Sequence, residues 1–192
     1  MQTGGLPAAY RKIEYIQNPE ASVAYINTGI IVTEEVKFLV DFQLISSAST
    51  TGYFMGGYNG TSFYLYLGAG LMFQTAFGCN WANSSLKGDN RRHVFTYQFL
   101  DGDLHLYDGE TEILKKAFSA SSSLPIYVAG PVSPSGANKS AKTFSSKIWQ
   151  NGTLIRNLVP CVRKSDSKPG MYDTVSKTFY TNAGTDEFVV PN

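Results

Sequence analysis

The chain has 192 residues, of which 43% are hydrophobic and 14% aromatic. It therefore carries enough apolar material to bury a core without disulfide bonds or a structural metal. The net charge is +1, and the densest basic cluster is Arg91-Arg92-His93, so the chain lacks the many Lys and Arg residues on which nucleic-acid affinity depends. No apolar run is long enough for a membrane-spanning helix, and residues 1–192 are predicted to form one domain.

The first residues, Met1 to Pro7, lack the charged and apolar regions of a secretory signal. We therefore expect the protein to fold in a cytoplasm or to be exported without a cleaved signal. The two cysteines, Cys79 and Cys161, are too few for a disulfide framework and lack zinc-like spacing. Two buried free thiols are the favoured interpretation, with a bond between them as the alternative.

The clearest predicted strand covers residues 36–44, where apolar and polar positions alternate. The apolar positions that period two places on one face are Val36, Phe38, Val40, Phe42 and Leu44. Lys37, Asp41 and Gln43 fall on the opposite face.

Two shorter runs follow with the same period. In the first, Phe63, Leu65 and Leu67 share one face, with Tyr64 and Tyr66 opposite. The second run places Leu71, Phe73, Thr75 and Phe77 together. Because no long segment sustains a period of 3.6, at most one short helix is expected.

Four dipeptides between strand-like runs suit the positive φ values of a type I′ hairpin turn. They are Asn59-Gly60, Asp101-Gly102, Asp108-Gly109 and Asn151-Gly152. The middle two predict a three-stranded meander from His93 to Leu114. A two-residue turn at 101–102 gives the inner pairs Phe99–Leu104 and Tyr97–Leu106 and the outer pairs Gln98–His105 and Thr96–Tyr107.

Two stretches, 80–89 and 133–142, are interpreted as long loops. Asn59, Asn83, Asn138 and Asn151 begin glycosylation sequons but are interpreted as turn residues. Many strands joined by short turns, without crossover helices, predict an all-β, antiparallel two-sheet sandwich.

Three segments are distinctive beyond their period. The opening combines residues 6–16 (LPAAYRKIEYI) with 25–30 (YINTGI), and the centre has Arg92-His93-Val94 ahead of Asp101-Gly102. The closing part runs from Ile148 to Arg156 (IWQNGTLIR) and continues through 159–166, 170–173 and 179–185. Together they resemble a group of laminin G-like, concanavalin A-like lectin-fold proteins of gut bacteria and their phages.

This resemblance covers nearly the whole chain and implies a jelly-roll sandwich of two curved sheets. Members of the group occur in adhesins, in tail or head fibres and in multidomain surface proteins, so the fold transfers better than the function. The chain departs from the pattern at Ala9, where Gly is usual, and at Asn27, where Asp is usual. The second change removes a carboxylate, and we expect neither a metal nor a cofactor.

Catalysis has little support in the sequence. Glycosidases on this sandwich need two carboxylates at a fixed separation on one sheet face. The nearest pairs, Asp101 with Asp103 and Glu110 with Glu112, flank hairpin turns, where they are interpreted as solvated charges. His93 precedes a strand, and His105 with Glu112 fits a cross-strand surface contact. No nucleophile elbow or phosphate-binding loop occurs, so we expect no enzymatic activity and no catalytic residue.

A sugar site needs an aromatic platform and hydrogen-bonding groups. Trp81 with Asn80 and Asn83 in a predicted loop, and Tyr58 with Asn59 at a predicted hairpin tip, supply both. Trp81 as a loop anchor packed onto the core is the alternative. Trp149 is predicted to lie in the core.

These observations favour a non-catalytic structural or receptor-facing module of a bacteriophage particle, lectin-like and with glycan affinity. Its expected partners are other virion proteins or a cell-surface glycan, without nucleic acid or membrane, and an oligomer is compatible with them. The expected location is the surface of the phage particle. Two alternatives stay open: a bacterial cell-surface adhesion or carbohydrate-binding module, and a sandwich-fold glycoside hydrolase.

Overall fold

The alternating runs of the sequence form strands throughout the computed structural model, which describes residues 5–46, 49–57, 62–132 and 138–191. Strand accounts for 58% of these residues and helix for 1%. The first strands are β1 (Tyr10–Lys12), β2 (Ile16–Asn18), β3 (Ile26–Ile31), β4 (Val36–Leu44), β5 (Gly52–Gly57) and β6 (Tyr64–Leu67). A 3₁₀ turn (Ala69–Leu71) leads to β7 (Met72–Ala76), β8 (Ala82–Lys87), β9 (Arg92–Leu100), β10 (Asp103–Asp108) and β11 (Thr111–Ala117). The last strands are β12 (Pro125–Val128), β13 (Pro131–Val132), β14 (Ala141–Gln150), β15 (Thr153–Arg163), β16 (Pro169–Asp173) and β17 (Thr178–Thr181).

The strands form two main sheets and one small pair. The large sheet has the order β11-β10-β9-β4-β14-β15-β16-β17, with β1 beside β15 and β2 beside β14. The five-stranded sheet has the order β13-β5-β6-β7-β8, and β3 pairs with β12. Among the described residues, the parallel pairings are those of β13 with β5 and the single bridge between Tyr53 and Asn138. The prediction of antiparallel sheets is therefore confirmed except at this edge of β5.

Aromatic rings from both main sheets meet in the core, as in a β-sandwich. Phe42 on β4 lies 5.5 Å from Phe54 on β5 and 6.0 Å from Phe73 on β7, measured between ring centroids. Phe38 lies 4.8 Å from Phe63. All five apolar positions of β4 are buried, so the predicted inner face of this strand is confirmed.

The predicted meander forms with the predicted register. Phe99 pairs with Leu104 and Tyr97 with Leu106, and the outer pairs also agree. Asp101 and Gly102 have φ values of 52° and 81°, and Asn151 and Gly152 have 49° and 73°, as a type I′ turn requires. The turn expected at Asp108-Gly109 is displaced by one residue, because Asp108 ends β10 and the connecting residues are Gly109 and Glu110.

Two further side-chain predictions were wrong. Leu71 lies in the 3₁₀ turn and not in the strand that follows. Trp149 is only partly buried and points away from the core, because its neighbour Ile148 takes the inward position opposite Phe38. The Lys37 ammonium lies 5.4 Å from the centre of the Trp149 ring, so this indole belongs to the outer surface of the large sheet.

Segments from the beginning of the described chain pair with strands near its end in the large sheet. β2 pairs with β14, and β1 pairs with β15. Gln17 also forms a β-bridge with Val189. The sheet therefore depends on contacts between the beginning and the end of the described chain.

Both cysteines are buried free thiols, which confirms that prediction. Burial raises the pKa of Cys161 to about 11 and also raises the pKa of Cys79. Within the described ranges, no helix is long and apolar enough to span a bilayer.

Candidate functional site

The segment around Trp81 lies at one edge of the five-stranded sheet. The predicted loop at 80–89 is wrong in its middle, because residues 82–87 form the edge strand β8 and pair with β7. Its alternation is carried by small and polar residues, which give only a weak strand signal. Ala82 is buried, so the positions on either side of it, Trp81 and Asn83, point outward.

The Trp81 indole is 55% exposed, the most exposed of the large hydrophobic side chains described. This exposure rules out the interpretation of Trp81 as a core anchor. Asn80 and Asn83 are also exposed. Exposed Trp81 with these two amides is named the rim site here.

One amide of the rim site has a fixed orientation. The Gln74 side chain on β7 donates a hydrogen bond from Nε2 to Asn83 Oδ1, at 3.2 Å. This bond uses one of the two acceptor positions of the Asn83 oxygen and leaves its two N–H groups for another acceptor. Gln74 was missed in the sequence because its role depends on the register between β7 and β8.

Two of the predicted site residues, Tyr58 and Asn59, lie outside the described residues, as does the turn at Asn59-Gly60. Of the remaining sequons, Asn151 lies in a turn as predicted. Asn83 lies in a strand, and Asn138 is buried with its side chain donating to Ser22 O at 3.0 Å. The turn interpretation was therefore wrong for these two.

Both histidines are more buried than expected. His93 lies inside β9, 3% exposed, with Nδ1 2.8 Å from Asp108 and Nε2 3.0 Å from Asp89. Burial alone would raise the pKa of Asp89, but hydrogen bonds from the Arg91 backbone and from His93 outweigh it and lower the pKa. This group joins the loop before β9 to the end of β10.

The second histidine forms the predicted contact with Glu112. His105 Nδ1 lies 2.5 Å from Glu112 Oε1, and the Tyr107 hydroxyl lies 3.3 Å from the same nitrogen. His105 is only 8% exposed, whereas Glu112 is exposed, so the contact joins a buried ring to a carboxylate at the surface. Asp103 forms an ion pair with Lys115, whose Nζ lies 3.3 Å from Asp103 Oδ2.

An open concavity lies on the outer face of the large sheet. It has a volume of about 450 Å³, and its charged lining residues are Lys12, Glu14, Arg92 and Lys147. Arg92 binds Asp41 through two 2.7 Å hydrogen bonds, and its guanidinium lies 3.7 Å from the centre of the Phe144 ring. The mixed charges give the cleft no clear preference for an anion or a cation.

Comparison with models of known families and with curated proteins gives no match. The site must therefore be interpreted from its own chemistry. Among the described residues, no group of three or more His, Cys, Asp or Glu side chains is placed to hold a metal ion. The rim site offers an exposed aromatic face beside amide donors, which suits a neutral, hydroxyl-rich ligand.

Proposed function

We propose that the chain is a non-catalytic structural or receptor-facing module of a bacteriophage particle, and that it binds glycan at the rim site. The observation that carries the binding proposal is the exposed indole of Trp81 beside Asn80 and Asn83. An indole stacks on the apolar face of a pyranose, and carboxamides bond to its hydroxyl groups. Placement on a phage particle is supported by the sequence resemblance alone.

The same proposal includes a jelly-roll topology for the two sheets. The two packed sheets are compatible with the jelly-roll topology of concanavalin A-like proteins, which the opening and closing sequence segments favour. A bacterial cell-surface adhesion module would use the same rim chemistry. The two placements are distinguished by detecting the protein in purified particles or in a cell-surface fraction.

The binding test is a glycan array probed with the wild-type protein and with Trp81→Ala. Affinity for any glycan bound should fall at least about tenfold, which corresponds to about 1.4 kcal/mol. Because Trp81 is largely exposed, the melting temperature should stay nearly unchanged. Val175→Ala is a suitable control, since Val175 is 41% exposed in the turn between β16 and β17. Equal binding by Trp81→Ala and the wild type would contradict the rim site, and release of reducing sugar from a bound glycan would contradict the non-catalytic assignment.

A further inference from the structure

A continuous row of side chains crosses four strands on the outer face of the five-stranded sheet. Tyr53 on β5 pairs with Tyr66 on β6, Tyr66 pairs with Gln74 on β7, and Gln74 pairs with Asn83 on β8. Their strand neighbours, such as Leu65 and Phe73, point into the core. We call Tyr53, Tyr66, Gln74 and Asn83 the outer row.

One half of the outer row is aromatic. The rings of Tyr53 and Tyr66 lie 4.5 Å apart at an interplanar angle of 43°. Tyr53 also packs edge-to-face against the buried ring of Tyr64, with the ring centroids 5.6 Å apart and the ring planes at 80°. Both Tyr53 and Tyr66 are partly exposed. Their packing holds the rings in place before any ligand arrives.

The other half of the outer row is a pair of linked carboxamides. Gln74 donates to Asn83, as described above, and Gly68 leaves the space in which the Gln74 side chain lies. A Cβ atom at Gly68 would stand 2.8 Å from Gln74 Nε2 and 3.2 Å from Gln74 Cβ. Gln74 is therefore held between Gly68 on one side and Asn83 on the other.

Charge is absent from this row. The next outward-pointing cation along β8, Lys87, lies four residues beyond Asn83. Lys139, whose backbone N–H donates to Tyr53 O at 2.6 Å, is buried at 4% exposure. A ligand matched to the outer row is therefore uncharged, with apolar faces for the tyrosines and hydroxyl groups for the amides.

We propose that the outer row binds an extended neutral polysaccharide that runs across the strands toward Trp81. The inference rests on the proposed glycan-binding function and specifies its ligand as a neutral chain of several sugars. Three strand intervals span roughly 14 Å, since neighbouring strands lie about 4.8 Å apart, which accommodates about three pyranose rings. Trp81 lies just before β8, two positions ahead of Asn83, and is exposed like Asn83, so the rim site continues this surface.

The test is native affinity electrophoresis of the intact protein in gels that contain one soluble polysaccharide each. The neutral set is mixed-linkage β-glucan, xylan, galactomannan and dextran, and the acidic set is alginate and hyaluronan. Retardation by at least one neutral polymer, and by neither acidic polymer, is the expected result. No retardation by any neutral polymer, or retardation by the acidic polymers alone, would overturn the inference.

Variants then locate the contact on the retarding polymer. Tyr66→Ala should weaken binding about tenfold and Tyr66→Phe about twofold or less, because the ring face supplies the contact. Gln74→Ala should weaken binding about three- to tenfold. Gly68→Ala should act in the same direction by displacing the Gln74 amide. Gln98→Ala, on the outer face of the large sheet, is the matched control and should bind like the wild type.

The pattern of losses separates this inference from the rim site. If Trp81→Ala loses binding while Tyr66→Ala, Gln74→Ala and Gly68→Ala all bind normally, the rim site stands and the outer row is wrong. Loss in both groups supports a continuous surface. Affinity for oligosaccharides cut from the same polymer should then rise from disaccharide to tetrasaccharide, whereas an affinity complete at the disaccharide would contradict an extended ligand. Melting curves of all variants identify any loss that is caused by unfolding.

Discussion

Phe42→Ala is the most direct test of how the two sheets are held together. The Phe42 side chain is fully buried and reaches across the sandwich to Phe54 and Phe73, while Phe95 lies 5.0 Å away on its own sheet. Removing the ring deletes buried apolar surface and leaves a cavity among neighbours that cannot collapse fully. The expected loss of unfolding free energy is about 3–5 kcal/mol, the range for emptied aromatic core sites.

Urea denaturation followed by intrinsic fluorescence measures this loss. With a denaturant slope of about 2 kcal/mol per molar, the midpoint should fall by roughly 1.5–2.5 M. Gln43→Ala is the control on the adjacent, outward position. Its side chain donates one exposed hydrogen bond to Asn90 O at 2.8 Å, so the cost should be about 1 kcal/mol. Equal midpoint shifts for the two variants would refute the packing of β4 against the five-stranded sheet.

Two further predictions concern charge and thiol chemistry. Hydrogen bonding from Arg163 is the main cause that lowers the pKa of Asp166 to about 2. In Arg163→Gln this pKa should return toward about 3.9, as measured by carbon-detected NMR. A pKa that does not move would contradict the pairing. Because the folded pKa is the lower one, any stabilisation from this pair is present above about pH 4 and is lost as the pH falls toward 2. Cys79 and Cys161 should resist a thiol reagent at pH 8 in the folded protein and react in denaturant, because burial raises both pKa values. Fast reaction of either thiol without denaturant would show that it is not buried as described.

Local patterns in the sequence predicted those parts of the fold in which hydrophobic period and turn chemistry agree. The strand 36–44 combines large apolar residues with strict alternation, and the turn at Asp101-Gly102 specifies a register that only one face assignment satisfies. Strand β8 was missed because Ala82, Ser84 and Ser85 have little strand preference of their own, and pairing with β7 decides their conformation.

The candidate site was predictable only in part, for a similar reason. An aromatic residue beside asparagines pointed to Trp81, and its exposure agrees with that choice. The alignment of Tyr66 with Gln74, and of Gln74 with Asn83, depends on which residues face each other across strands. A single sequence does not contain that register where the connections are longer than a two-residue turn.

The pairing of Gln17 with Val189, and of β2 with β14, has a consequence for synthesis on the ribosome. Strand β2 emerges about 125 residues before its partner β14, and Gln17 emerges about 170 residues before Val189. At typical translation rates these intervals last roughly 10–30 s. The edge of β4 that pairs with β14 likewise stays unpaired until about 100 further residues have been made. Folding of the large sheet is therefore completed only after most of the described chain has been translated, and its unpaired strand edges are exposed to other chains until then.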